Sequence, residues 1–146
     1  MIGASVTGSR DELGKRPGDA SSRTMRLAPG TTKLAPARQF VRATLAGWGL
    51  SDQAAQLELA VSELVTNALL HGQGGIDVTV ELRGDRVWLA VEDEGFGPES
   101  IRAREPSGTG GGGWDLRVVD GLSDSWGAHR VPGRTLVWME RRLPRD

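Results

Sequence analysis

From Ile76 to Arg83 apolar and polar side chains alternate, with Ile76, Val78, Val80 and Leu82 set against Asp77, Thr79, Glu81 and Arg83. A period of two is that of a strand with one buried face. Gly84-Asp85 then reads as a hairpin turn into Val87-Trp88-Leu89-Ala90-Val91, whose unbroken apolar run predicts the more buried of the two strands. Upstream the period lengthens. Leu57, Val61, Leu64, Val65 and Ala68 form one stripe of a helix that Ser51 or Asp52 can cap and that runs to about His71, where Gly72 and Gly74-Gly75 end it. Before the Gly47-Trp48-Gly49 punctuation, a shorter helix is predicted from Pro36. Its apolar residues are Ala37, Phe40, Val41 and Leu45, with Arg38 and Arg42 on its outer side. Thr24 to Leu27 reads as a short first strand. Past a glycine-dense stretch from Ser107 to Gly113, a short helix around Leu116 to Leu122 leads to a hairpin turned by Val131-Pro132-Gly133-Arg134 into a last strand, Thr135 to Met139.

The predicted order is strand, helix, helix, strand, strand, loop, helix, strand, strand. It suits an α+β two-layer sandwich: a mixed, mostly antiparallel sheet with helices on one face. A Rossmann-type parallel sheet is disfavoured, because strand-helix-strand crossovers are few and the glycine cluster lacks the strand-GxGxxG-helix setting; a GxxxxGK[ST] phosphate loop is absent too. Residues 1–23, rich in Gly, Ser, Arg and Asp, show no apolar periodicity and are expected to be a disordered tail ahead of one domain, 24–146.

Charge and cysteine content narrow the chemistry. A formal net charge of -1 offers no basic stripe, so direct binding to nucleic acid or to an anionic membrane is not expected. With Cys 0 and His 2 there is no disulfide framework, no thiolate metal site and little scope for an imidazole cage. The N-terminus lacks an apolar signal segment and no run is long enough to cross a bilayer, which points to the cytoplasm.

Three features remain as candidate chemistry. On the long helix, Glu63, Asn67 and His71 fall at i, i+4, i+8 along the border of the apolar stripe, where a carboxylate can take a proton and an amide oxygen can ligate Mg²⁺. The same spacing also suits a plain solvated helix edge. Asp93-Glu94-Gly95-Phe96-Gly97 begins where the buried strand ends. A carboxylate there can accept a hydrogen bond from an exocyclic amine such as that of adenine, and the glycines let backbone approach a flat ring. Gly108 and Gly110 to Gly113 form a loop that can fold over phosphates and feed a helix N-terminus. Taken singly, an ordinary turn and a linker explain these last two equally well.

In order and spacing, Ala37-Arg38-Gln39-Phe40-Val41-Arg42, Glu58 through Ala68, Val91 through Gly97, Leu116 through Asp120 and Trp126-Gly127 resemble the GHKL, or Bergerat-fold, ATPases. Within these they are most similar to the branch of anti-sigma-factor serine/threonine-protein kinases with a histidine-kinase-like ATP-binding domain. The resemblance implies Glu63 as general base and Asn67 as Mg²⁺ ligand. It implies that Asp93 holds the adenine amino group, that Gly95 and Gly97 shape the purine pocket, that Thr135 supports the adenine side, and that Gly110, Gly111, Gly112, Gly113 and Leu116 belong to the ATP-binding lid. It further implies ATP and Mg²⁺ as cofactors, a sigma factor sequestered, and transfer of the γ-phosphoryl group to a serine of a STAS-type anti-sigma-factor antagonist; a homodimer is compatible with it. Chaperone, mismatch-repair and gyrase relatives carry further domains, and sensor histidine kinases a phosphoacceptor helix, so the free-standing kinase branch fits the length best. One position departs from the family. Its lid usually ends Gly-x-Gly-Leu, whereas this chain reads Gly113-Trp114-Asp115-Leu116. A carboxylate at that place repels phosphate unless a cation offsets it, which keeps open a second reading, a nucleotide-gated protein-binding module without kinase activity.

Overall fold

Strand register decides which side chains reach the core. The computed structural model describes residues 21–71, 74–94, 116–131 and 133–144. In them β1 (Ser21–Leu27), α1 (Ala35–Gly47), a 3-10 turn (Ser51–Gln53), α2 (Ala54–His71), β2 (Ile76–Arg83), β3 (Arg86–Asp93), α3 (Arg117–Leu122), β4 (Ser125–Val131) and β5 (Arg134–Arg142) follow in order. The strands form a five-stranded sheet in the order β1-β2-β3-β5-β4. Expected to be mixed, it is antiparallel at every pairing among the described residues, because β3 and β4, which run the same way and are joined through α3, are kept apart by β5, which pairs antiparallel with both.

Rows across the sheet show the two faces. Leu27, Ile76, Asp93 and Thr135 are successive partners in one row; Met25, Val78, Val91 and Val137 make the next, and Val80, Leu89 and Met139 belong to the third. These apolar residues, all but Met25 fully buried, join Ala37, Val41 and Leu45 of α1, Leu57, Ala60, Val61, Leu64, Val65 and Ala68 of α2, and Val119 of α3 in one core. The helix stripes read from the sequence are therefore the buried ones, except that Phe40 is only partly buried against the core. On the outer face the strands carry charge and aromatic rings: the Arg83 guanidinium lies 4.2 Å over Trp88, and Arg86 and Glu140 pair at 3.1 Å. Trp138 lies against Gly127, so closely that an added Cβ would stand 3.0 Å from its ring.

Helix ends follow local chemistry only in part. α1 opens with Pro in its first turn and closes through Gly49, whose φ of +75° lets Leu50 N–H donate to Leu45 O at 2.8 Å and its own N–H to Ala46 O at 3.1 Å. That pair of bonds is a Schellman closure. At the start of α2 neither Ser51 nor Asp52 caps the helix as expected. The 3-10 turn enters from Leu50 without a side-chain cap, and Gln53 donates its N–H to Leu50 O at 2.9 Å. β1 also begins three residues before the predicted Thr24, because Ser21 and Ser22 pair with Leu82 and Glu81 and are buried. An existing strand template outweighs the weak intrinsic preference of serine. The rest of the expected tail lies outside the described residues. Among the described residues, no helix is long and apolar enough to cross a membrane.

Candidate functional site

Since α2 ends at His71 and β2 begins at Ile76, a short connection holds the last turns of the helix at the end of the sheet where β2 starts. Antiparallel pairing brings the end of β3 to the same place, for Asp93 faces Ile76 on one side and Thr135 on the other. Asn67, four residues before the helix end, stands about 6 Å back along the axis at the usual rise, and Glu63 one turn further. α2 packs on β3. A carboxylate and a hydroxyl thus stand side by side at the end of the sheet next to the last turns of α2, the helix that carries the Asn67 amide.

Their burial is unusual for such groups. Asp93 is 2% exposed, Thr135 0% and Asn67 7%. Asn67 lies deeper than the border position expected of it; Glu63 stays half-buried on the same helix. The Asn67 Nδ2 is buried with no hydrogen-bond partner among the described residues. A buried amide left unpaired costs about 1–3 kcal/mol, a cost that a bound acceptor would relieve. The nitrogen calls for an acceptor such as a phosphate oxygen, and the carboxamide oxygen beside it is the atom able to ligate a hard cation. The residues present fit a nucleotide with its metal on that count.

Leu116, 4% exposed, precedes α3 and enters the core, and Thr135 sits in β5 directly across from Asp93. Gly95, Gly97, Gly110, Gly111, Gly112 and Gly113, with Trp114 and Asp115, lie outside the described residues.

Sequence reasoning missed two constellations, one between the helices and one at the sheet end. On the outer side of α1, Arg42 grips Glu58 of α2 through Nε and Nη2, each at 2.9 Å, and Arg38 donates to the Ser62 hydroxyl at 3.3 Å. The Arg42 hydrogen bond, with its charge, holds the Glu58 carboxyl below its ordinary value. Matching i, i+4 spacing on the two helices was the available signal. At the sheet end, Arg26 of β1 donates to Asp77 at 3.1 Å and to Glu94 at 2.7 Å, and Gly75 N–H reaches Glu94 at 3.4 Å. On the next outer strand position, Arg134 pairs with Glu92 at 3.2 Å.

An antiparallel sheet with helices on one face, a buried aspartate at the end of a central strand and a helical asparagine whose amide nitrogen has no partner among the described residues invite comparison with the ATPase domains of histidine-kinase-like proteins. The profile described as "Histidine kinase-like ATPase domain" matches residues 27–141, and the chain belongs to that family. Its relatives include the anti-sigma F factor of Bacillus licheniformis, 35% identical over 86 residues that make up 51% of this chain and 59% of that protein. The chain thus spans about three fifths of that relative's length. The anti-sigma F factor of Thermoanaerobacter sp. (strain X514) is 31% identical over 106 residues, 65% of this chain and 74% of the relative. The crystal structure of the RsbU and RsbW domains of Rv1364c from Mycobacterium tuberculosis matches at a TM-score of 0.62 and 25% identity, over 84% of this chain and 33% of that one. The α+β fold expected from the sequence is the fold of that neighbour.

Proposed function

We propose that the protein is an ATP-binding serine/threonine-protein kinase of anti-sigma-factor type, which holds a sigma factor and phosphorylates a STAS-type antagonist in the cytoplasm. The observation that carries the reading is Asp93, a carboxylate 2% exposed, beside Thr135 at the sheet end to which α2 brings the unpaired Asn67 amide. Relatives named anti-sigma F factor support the choice of partners.

In this reading Asp93 accepts the hydrogen bond of the adenine amino group, with Thr135 beside it, and Gly95 and Gly97 leave room for the ring. Asn67 holds Mg²⁺, which when bound offsets phosphate charge. Gly110 to Gly113 and Leu116 belong to the segment over the phosphates. Glu63, half-buried two turns from the helix end, takes the proton of the attacking serine hydroxyl. A second copy of the chain is compatible with this arrangement.

Asp115, where the family has glycine, supports the alternative of a nucleotide-gated binding module that transfers nothing. Incubation of γ-labelled ATP with the protein and a STAS-type antagonist from the source organism separates the two. The kinase labels an antagonist serine, and Glu63→Ala abolishes labelling while leaving ATP binding intact. Binding without label in the wild type selects the module instead.

A further inference from the structure

Asp93 reads inward from the last position of β3, and the residue that follows it, Glu94, is held from outside. Arg26, on the edge strand two strands away, places one guanidinium nitrogen 3.1 Å from Asp77 and another 2.7 Å from Glu94. The second Glu94 oxygen takes the Gly75 N–H at 3.4 Å. We propose that Arg26, through Glu94, is a positioning residue for the adenine-reading carboxylate, so that this clasp sets the ATP selectivity of the site; the inference rests on the nucleotide reading above.

Neighbouring strands fix the Asp93 backbone through Ile76 and Thr135, but Glu94 lies just past the end of the strand. Anchoring Glu94 to β1 and to the connection after α2 fixes the far end of the Asp93–Glu94 peptide, and with it the direction in which the Asp93 side chain leaves the strand. Two glycines make room for the clasp. A Cβ on Gly75 would land in the Arg26 guanidinium, and one on Gly74 would land on the Glu94 carboxylate. Each partner also shifts the other's titration as a formed bridge should: the hydrogen bond from Arg26 is the largest cause lowering Glu94, and that same bond the largest cause raising Arg26.

Both side chains are close to half exposed, 49% and 45%. Exposed ion pairs add little to global stability. The effect of breaking this one is therefore confined to the group it orients, and a nucleotide lacking the exocyclic amine isolates that group. Inosine triphosphate presents a carbonyl where ATP presents the amine that Asp93 accepts from.

Calorimetric titration of MgATP and MgITP into wild type, Arg26→Met, Arg26→Lys and Gly75→Ala tests the proposal. Arg26→Met is expected to weaken ATP binding by about fivefold or more while ITP changes by less than about twofold, so that the preference for ATP narrows. Arg26→Lys, which keeps the charge but not the two-pronged bridge, recovers part of that preference, and Gly75→Ala copies Arg26→Met. Thermal midpoints stay within roughly 2 °C of wild type. An Arg26→Met protein that keeps the full ATP preference, or loses both nucleotides equally, overturns the proposal alone. A wild type that binds no MgATP overturns the nucleotide reading and takes this one with it.

Discussion

Asp93 stands where the pattern of its strand calls for an apolar side chain, inward like Leu89 and Val91 and 2% exposed. A carboxylate is kept at such depth only when partners compensate its lost hydration. Asp93→Asn preserves shape but removes the charge and one acceptor. MgATP affinity measured by calorimetry is expected to fall at least tenfold, about 1.4 kcal/mol; equal affinity would contradict the adenine role. Leu57 makes the opposite case, a 0% exposed side chain with no chemistry. Leu57→Ala is expected to lower unfolding free energy by about 2–5 kcal/mol in urea titrations, through lost burial and the cavity left behind. Both residues were visible as candidates in the sequence, Leu57 from its helical spacing and Asp93 from the acidic turn that ends a strand. The unpaired state of Asn67 was not, because hydrogen-bond satisfaction depends on what the fold puts around a group.

Elements with strong periodicity were legible, and those made by long-range pairing were not. Ile76 to Leu82 alternates so strictly that only one register buries its apolar face, and the α2 stripe is buried as read. Ser21 to Arg23 carry no such signal and become strand only because β2 is there to receive them. Arg38 and Arg42 were readable as outward residues, yet their service to α2 needs the two helices already packed. That bridge predicts a pH effect. Glu58 has a native carboxyl below its ordinary 4.5, chiefly through the Arg42 hydrogen bond, so its contribution is fully present above pH 4.5 and disappears as pH falls through the lowered native value. Thermal midpoints of wild type and Glu58→Gln are expected to differ at neutral pH, wild type being higher, and to converge only as pH falls through the lowered native value of Glu58. A constant gap across that range would assign the effect to packing.

At the level of the whole molecule, helices and strands share one core, so binding at the sheet end stabilises everything at once. MgATP at about one hundred times its dissociation constant should add about 2.7 kcal/mol to unfolding and raise the thermal midpoint by several degrees. The rise should vanish at the same concentration in Asp93→Asn if recognition depends on that carboxylate. The candidate site was only half readable in the chain: Glu63 and Asn67 visibly share a helix, but the pairing of Asp93 with Thr135 depends on the register that sets Ile76, Asp93 and Thr135 side by side. Family resemblance supplied roles for these residues; register supplied the place. β5 lies inside the sheet, between β3 and β4, although it comes after both in the chain. A ribosome-bound fragment that stops short of it leaves β3 with a bare edge ready to stick to another chain and lacks Thr135, the neighbour of Asp93, so the sheet end on which the proposed nucleotide site is built is completed late in synthesis, with the strand that also protects the fold from aggregation.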